Sequence, residues 1–333
     1  MRGEQKKMKY LNEYQTGEQM YGIYLCKQVQ SLITKNGKPY KNVTLQDKTG
    51  TMEGKIWEPD DMAIGSFDAL DFIEVRGDVS TYQGNLQVTI RRVRVAMAFE
   101  YDQADYLPVS PKDNNSMFDE LKGIIRSVEN PWLKTLLERF FASDTEFTKE
   151  FRSSSAAKTF HQAYVGGLLE HTLNVANMCD YFSKAYPVLN RDLLITAAIC
   201  HDIGKVKELS QFPANDYTDD GQLLGHIVMG VEMIGEMVQQ IPGFPPVLES
   251  ELKHCILAHH GKLEFGSHKK PALIEALALN MADNVDAQME IFSDALKNAT
   301  DYSWLGYNKL LETNIRKTTG GETASKQAKS QNM

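Results

Sequence analysis

The hydrophobic periodicity of this 333-residue chain changes once, near residue 115. Before that point apolar residues tend to alternate with polar ones, which is the period of a half-buried β-strand. After it they recur every three or four residues, which is the period of an amphipathic helix. The sequence therefore predicts a multidomain α+β protein in which a β domain precedes a helical one.

The first domain, residues 1–100, is predicted to be a small β barrel. Turn signals at 36–37, 47–50 and 83–85 separate short segments of alternating polarity. The five candidate strands are 19–32, 40–46, 51–57, 72–80 and 86–95. A short helical or irregular piece at 60–64 separates the third strand from the fourth. Five strands with that interruption are typical of an OB-type barrel.

A linker is expected over 101–115, where two prolines and a mixture of charged and polar residues lead to a helix cap at Ser116. Residues 116–315 are predicted to form an all-helical domain. Its expected helices are 117–127, 131–142, 167–185, 192–203, 225–239, 248–260 and 271–297. Residues 316–333 contain almost no apolar side chains, so we expect a disordered tail.

Composition restricts the class and location of the protein. With 42% hydrophobic and 24% charged residues it has the make-up of a globular protein. No apolar run reaches the roughly 18 residues of a membrane span, and the basic N-terminus lacks the apolar core of a signal peptide. We therefore expect a cytoplasmic protein with no membrane partner. The four cysteines are widely spaced, which disfavours disulfides and thiolate zinc sites.

The histidines are the strongest chemical signal in the chain. All eight lie between His161 and His268, within the more acidic part of the sequence. Imidazole nitrogen and carboxylate oxygen are ligands that zinc, manganese, iron and cobalt share. An acidic, histidine-rich region therefore predicts a metal centre. The expected metal ligands are His171, His201, Asp202, His226, His259, His260 and Asp283.

The local sequence indicates how these ligands converge. His201 and Asp202 are adjacent in AAICHDIGK, and helix neighbours point about 100° apart, so both reach one ion only near a helix end. Gly204 supplies that end. A carboxylate can bridge two ions, and Asp202 is the expected bridge. His171 and Asp283 lie in apolar helical stretches, where a buried carboxylate needs a cation.

The order His171, His201-Asp202, Asp283 resembles the defining H, HD and D of the HD superfamily of metal-dependent phosphohydrolases. The elements FHQAYVGGLLEHTLNV, ICHDIGK, GHIVMG and AHHGKLEFGS, behind an OB unit, are similar to those of the YhaM family of 3′-to-5′ exoribonucleases. This resemblance runs from about residue 18 to 302. It implies a manganese-dependent enzyme that trims single-stranded RNA, and some single-stranded DNA, from the 3′ end. The insertion of His268 and Lys269 departs from the family pattern.

By analogy with HD proteins of the same ligand order, the seven side chains would hold two divalent ions. The first ion would take His171, His201, Asp202 and Asp283, and the second Asp202, His226, His259 and His260. Manganese is the expected metal, with iron, cobalt or zinc as alternatives. Such a pair activates water for attack on a phosphodiester and releases nucleoside monophosphates. Lys205 and His161 are expected to contact the same phosphate, so the predicted catalytic residues are Asp202, Lys205 and His161.

The barrel offers candidate nucleic-acid contacts. Single strands bind such surfaces through base stacking and phosphate contacts. The expected contact residues are Tyr40, Lys41, Trp57, Tyr82, Arg91, Arg92 and Arg94. Strand aromatics also fill barrel interiors, and arginines on an edge strand are usually solvated, so the structural alternative stays open for each of them.

Two other functions stay open on the sequence. One is an HD-type nucleotide or cyclic-nucleotide phosphohydrolase. The second, of another class, is a non-catalytic OB adaptor with a structural metal, which the complete ligand set disfavours. An HD-GYP cyclic-dinucleotide phosphodiesterase would carry a Gly-Tyr-Pro loop after its paired histidines, whereas His260 leads into GKLEFGS. Single-stranded RNA or DNA is the expected partner, and assembly into a homo-oligomer is left open.

Overall fold

The computed structural model describes residues 9–107, 109–142, 145–158, 162–297 and 303–318. The chain divides into two compact units, one ending at residue 109 and the other beginning at residue 110. Each unit has its own cluster of buried hydrophobic side chains.

The first unit is a closed five-stranded barrel. Its strands are β1 (Gln19–Ile33), β2 (Pro39–Asp47), β3 (Gly50–Ile56), β4 (Phe72–Tyr82) and β5 (Asn85–Val95). They are hydrogen-bonded in the order β1-β2-β3-β5-β4, and β4 closes onto β1. The β3–β5 pair is parallel and the other pairs are antiparallel. This topology confirms the predicted OB-type barrel.

The alternation of polarity accounts for the barrel interior. On β2, Val43 and Leu45 are fully buried, while Thr44 between them is only partly buried. Val75 on β4 and Val88 on β5 are equally buried. Segment 60–64 is irregular, as expected, and is joined to β5 by a single bridge between Ile64 and Val93.

Part of the predicted linker belongs to the barrel unit. Residues Gln103–Asp105 form a short 3₁₀ helix. The rings of Tyr101 and Tyr106 pack on Phe72, with centroids 4.0 and 5.1 Å away. Aromatic burial of this kind holds residues 101–106 of the predicted linker against the barrel.

The first helix of the second unit also begins earlier than predicted. It spans Asn114–Arg126, and its N-cap is Asp113, whose carboxylate accepts a hydrogen bond from the backbone nitrogen of Ser116. The predicted cap at Ser116 was therefore wrong. The four-residue run Asp-Asn-Asn-Ser contains several good capping types, and only the backbone geometry shows which one caps.

The described part of the second unit contains ten α-helices. They are α1 (Asn114–Arg126), α2 (Pro131–Phe140), α3 (Glu146–Ser153), α4 (Gly167–Ala185), α5 (Arg191–Cys200), α6 (Lys205–Glu208), α7 (Asp219–Leu223), α8 (Gly225–Gln239), α9 (Pro246–Leu257) and α10 (Ile274–Lys297). All the predicted helices are present. The unpredicted ones, α3, α6 and α7, are too short to display a helical period. Within the described residues, none of the helices has the length and apolarity needed to cross a bilayer.

The prediction that residues 116–315 are all-helical was wrong at their C-terminal end. Strands β6 (Trp304–Asn308) and β7 (Thr313–Arg316) form a two-stranded antiparallel sheet. Ile315 is buried, so the hairpin has an apolar anchor that an isolated hairpin would lack. The predicted tail was to start at Arg316, which is the last residue of β7. Residues 319–333 of that tail lie outside the described residues.

Helices α4 and α5 form the centre of the second unit, and α10 packs against both. Every residue of α5 from Leu193 to Cys200 is buried. His201, the residue that follows this helix, therefore lies within the hydrophobic core. Packing in this way fixes the position of the His201-Asp202 pair relative to α4 and α10.

Candidate metal centre

Three helices bring the first group of donor atoms together. His171 lies in the N-terminal part of α4, His201 directly follows α5, and Asp283 lies on α10. The His171 Nε2 atom is 3.1 Å from His201 Nε2 and 3.2 Å from Asp283 Oδ1. Donor atoms of the three residues all lie within 4.8 Å of one another, a spacing that can hold a metal ion.

A second group is built from His226, near the start of α8, and from His259 and His260, which follow α9. Donor atoms of these three imidazoles also lie within 4.8 Å of one another. His254, one turn earlier on α9, instead accepts a hydrogen bond from the backbone nitrogen of Ala272.

The Asp202 carboxylate lies between the two groups. Its Oδ2 atom is 3.4 Å from His171 Nε2 and 3.3 Å from His201 Nε2. Its Oδ1 atom is 3.4 Å from His226 Nε2 and 3.7 Å from His259 Nε2. One carboxylate oxygen thus faces each group, which is the arrangement that a bridging role requires.

Unpaired buried atoms show that these residues fit a metal ion. Asp202 Oδ1, His226 Nε2 and His259 Nε2 are buried and have no hydrogen-bond partner within the described part of the chain. Each such atom costs about 1–3 kcal/mol, so three of them in one place are unfavourable unless a cation binds them. Because imidazole nitrogens and carboxylate oxygens suit first-row divalent metals, the donor set and its geometry agree.

The carboxylates hold the charge state that metal binding needs. Burial raises the pKa of Asp202, but Lys205 and His201 outweigh it and hold that pKa well below its usual range. Burial likewise raises the pKa of Asp283, and the hydrogen bond from His171 with the nearby imidazoles brings it well below the ordinary value. Both side chains are therefore ionised at neutral pH, as ligands must be.

The pKa values of His171 in the first group and His259 in the second are shifted in opposite directions. Burial, together with the neighbouring His260 and His201, lowers the pKa of His259 well below its usual value, so this ring is neutral. Burial would also lower the pKa of His171, but Asp202 and the α10 carboxylates raise it well above the usual value. His171 therefore attracts a proton in the absence of a competing cation, and metal ions and protons compete at this group.

Gly204 permits the close packing that assembles the second group. A Cβ atom at this position would lie 2.0 Å from the backbone oxygen of His226 and 2.8 Å from the backbone nitrogen of Gly230. Only glycine lets α8 approach the turn after His201 so closely. The sequence predicted that Gly204 ends a helix; the structure instead ends α5 at Cys200 and makes Gly204 the N-cap of α6, in contact with α8.

Of the other predicted catalytic residues, Lys205 lies at the centre and His161 lies outside the described residues. The Lys205 Nζ atom is 2.6 Å from Asp202 Oδ2. Burial lowers the pKa of Lys205, but the Asp202 carboxylate raises it more, so the side chain stays cationic. Lys205 lines a cavity of about 460 Å³ together with His171, His260 and Asp283.

Sequence reasoning missed three residues around the centre. Asp286 and Glu208 each contact one of the candidate ligand imidazoles, at His171 and His226 respectively. Asn280 donates a hydrogen bond to the backbone oxygen of His259. The helical spacing offered a signal, since Asn280 and Asp286 lie three residues before and after Asp283 and so share its face of α10.

On the barrel, two of the predicted nucleic-acid contacts form a pair. The rings of Tyr40 and Trp57 stack with centroids 5.3 Å apart, and Trp57 is 50% exposed. Lys55 lies beside them, with its Nζ atom 5.8 Å from the centroid of Tyr40. Tyr82, at the end of β4, is also exposed. A stacked pair with one exposed ring next to a cation has the elements of a single-strand binding surface.

The predicted basic contacts are mostly engaged within the barrel. Arg91 forms an ion pair with Asp78, and Arg94 forms ion pairs with Glu74 and Glu100. Lys41 lies on the same face of β2 as the buried Val43, and its Nζ atom is 5.2 Å from the ring centroid of Phe67. Arg92 is exposed on β5. The aromatic pair is thus better placed for an external ligand than these cations are.

Comparison with known proteins agrees with this division. Residues 168–288 match the model of the family described as HD domain. Residues 25–96 match the family described as OB-fold nucleic acid binding domain. The chain therefore combines an OB-fold domain with an HD domain, and the HD domain indicates a metal-dependent hydrolase.

Some solved structures are similar to part of this chain. One is the second OB-fold domain of replication protein A from Methanococcus maripaludis, at 18% identity over 26% of this chain and 92% of that one, with a TM-score of 0.22. Another is a replication protein A heterotrimer bound to single-stranded DNA, at 15% identity over 27% of this chain and 65% of that one, with a TM-score of 0.21.

Proposed function

We propose that this protein is a metal-dependent 3′-to-5′ exoribonuclease that hydrolyses single-stranded RNA, and some single-stranded DNA, to nucleoside monophosphates. The observation that carries the proposal is the Asp202 carboxylate, which presents one oxygen to each of two donor groups beside a cavity. The OB-fold domain supports a nucleic-acid substrate. The resemblance to the YhaM family supports the 3′-to-5′ polarity.

The centre would hold two divalent cations, with manganese as the first candidate. His171, His201 and Asp283 would hold one, the imidazoles of the second group would hold the other, and Asp202 would contact both. Bound cations supply Lewis-acid activation of the attacking water and neutralise charge on the phosphate. With that chemistry available, the protein needs no nucleophilic side chain of its own.

The side chains of the cavity would bind and orient the phosphodiester. Lys205 keeps its positive charge and lines the cavity, so it would contact a non-bridging phosphate oxygen. The cavity, at about 460 Å³, falls within the range of small-molecule sites, roughly 300–1,000 Å³. A space of this size suits the last nucleotide of a strand. It would equally admit a free nucleotide, which keeps a nucleotide phosphohydrolase as the second candidate.

Single-stranded RNA labelled at its 5′ end, incubated with the protein and Mn²⁺, tests the proposal. A 3′-to-5′ exonuclease should give a ladder of progressively shorter labelled products, which EDTA should abolish. Early release of a labelled mononucleotide would contradict the polarity. Intact RNA together with hydrolysis of free nucleotides would favour the nucleotide phosphohydrolase. Inactivity with Mn²⁺, Fe²⁺, Co²⁺ and Zn²⁺ on every substrate would favour the non-catalytic adaptor.

Replacing Trp57 by alanine should weaken binding of single-stranded RNA. Loss of one base-stacking ring costs about 1–3 kcal/mol, which raises Kd by roughly 5- to 150-fold. Fluorescence anisotropy with a labelled oligonucleotide in EDTA, where hydrolysis is blocked, measures this. Trp304→Ala is the matched control, because Trp304 is 65% exposed but lies in the β6–β7 hairpin. Equal losses in the two variants would reject the role of the Tyr40–Trp57 pair.

A further inference from the structure

Two buried carboxylates outside the donor set each contact one candidate ligand. Asp286 Oδ2 lies 2.7 Å from His171 Nδ1, and Glu208 Oε1 lies 3.0 Å from His226 Nδ1. We propose that Asp286 and Glu208 are positioning residues, each of which sets the affinity of one metal ion by orienting one imidazole. This inference rests on the metal centre of the proposed function.

The surroundings of Asp286 fix its carboxylate in place. The residue is 8% exposed, and its Oδ2 atom also accepts a hydrogen bond of 3.0 Å from Gln162. Its other oxygen, Oδ1, accepts one of 2.9 Å from Asn174. Because both oxygens are held by neutral donors, the carboxylate keeps one orientation. Its contact with Nδ1 then directs the Nε2 atom of His171 toward His201 and Asp283.

Glu208 positions the imidazole of His226 through two hydrogen bonds to that residue. It is the last residue of α6, and one carboxylate oxygen accepts hydrogen bonds from both the backbone nitrogen and the Nδ1 atom of His226, at 2.9 and 3.0 Å. The backbone oxygen of Glu208 in turn accepts from Thr218. A double contact of this kind fixes both the start of α8 and the ring, so that Nε2 of His226 faces Asp202.

The remaining buried imidazoles are oriented locally. The Nδ1 atoms of His201 and His259 contact the backbone oxygens of Ala198 and Ile256, each three residues earlier and each at 2.7 Å. Helical backbone geometry therefore orients these two rings. His171 and His226 instead depend on a side chain from a different element. A single substitution can therefore change the orientation of one imidazole in each donor group.

Asp286 is also linked to a ligand of the centre through its own helix. It lies three residues after Asp283 on α10, and a spacing of three residues places the two side chains on similar faces. A carboxylate ligand and a positioning carboxylate therefore share this element. Glu208 is instead the last residue of α6, which begins three residues after Asp202.

Mn²⁺ titration of the full-length, metal-free protein tests the proposal, with calorimetry and the electron paramagnetic resonance signal of free Mn²⁺ as readouts. The wild-type protein should bind two ions. Asp286→Ala and Glu208→Ala should each weaken one of them by about 10- to 100-fold and leave the other unchanged. The double variant should weaken both. Asp286→Asn and Glu208→Gln keep an oxygen that accepts from Nδ1, so their losses should be smaller than those of the alanine variants.

Glu290→Ala on α10, the helix of Asp286, and Glu232→Ala on α8, the helix of His226, are the matched controls, since each removes a carboxylate that contacts no candidate ligand among the described residues. Circular dichroism and thermal unfolding without metal report on the fold. Two ions bound at wild-type affinity by the folded alanine or amide variants would overturn the proposal, as would equal weakening in the controls. Absence of Mn²⁺ binding by the wild-type protein would instead overturn the proposed function.

Discussion

Replacing Asp202 by alanine should lower the rate of RNA hydrolysis by at least about 10³-fold. Asp202 presents an oxygen to each donor group, so its loss should weaken both ions at once. Metal activation contributes several kcal/mol to transition-state stabilisation, and each 1.36 kcal/mol is a tenfold change in rate. Single-turnover rates on labelled RNA measure the effect, and elemental analysis gives the number of ions bound per chain.

The controls for this substitution separate chemistry from folding. Asp202→Asn keeps the volume and one acceptor oxygen but removes the charge opposite Lys205. Asp219→Ala removes a carboxylate from the exposed surface of α7 and should leave the rate unchanged. Far-UV circular dichroism shows whether the helices persist. Unchanged turnover of a folded Asp202→Ala protein would reject the bridging role.

Gly204→Ala should destabilise the HD domain by about 3 kcal/mol or more and disrupt the second donor group. The new methyl carbon would lie 2.0 Å from the backbone oxygen of His226. Overpacking a close contact costs about 1–3 kcal/mol and occasionally more, and here no side-chain rotation relieves it. Helix α8 must therefore move, and His226 moves with it. Urea denaturation measures the loss of stability, and Mn²⁺ titration measures the loss of binding.

Gly123→Ala provides the same chemical change at a permissive site. Gly123 lies inside α1, where the nearest atom to an added Cβ is a guanidinium nitrogen of Arg126, 3.9 Å away. Alanine is favoured over glycine in a helix by about 1 kcal/mol, so this variant should be as stable as the wild type or more stable. If Gly204→Ala were tolerated as well as Gly123→Ala, the result would contradict the close contact between α8 and the turn after His201.

The parts of the fold that follow from local periodicity were predictable. The strands of the barrel and the long helices α4 and α8 have clear two-residue or 3.6-residue patterns, and the structure confirms them. The β6–β7 hairpin was missed because strands of four and five residues hardly display a period. Its stability depends on the burial of Ile315, which is a tertiary effect that no local pattern reports.

The residues of the candidate site also divide into those that the sequence could predict and those that it could not. The predicted donors could be selected because histidine and aspartate are unusual in apolar helical stretches. Glu208 could not, because on a sequence it is indistinguishable from a solvated helix charge, and the only signal for Asp286 was its helical spacing from Asp283. The contact between His171 and Asp286 spans 115 residues. Only the packing of α10 on α4 brings the two together, and the same holds for Gly204, whose role depends on the distant His226.

The burial of α5 has a consequence for how variants of this protein should be interpreted. From Leu193 to Cys200 this helix has no side that faces water, and it ends at the imidazole of His201. Enlarging Ala197 or Ala198 would have to displace neighbouring elements, and the displacement would reach Asp202, one residue beyond that imidazole. A genetic screen scored by RNA turnover would then report this helix as essential to chemistry, although none of those side chains need ever touch a nucleotide.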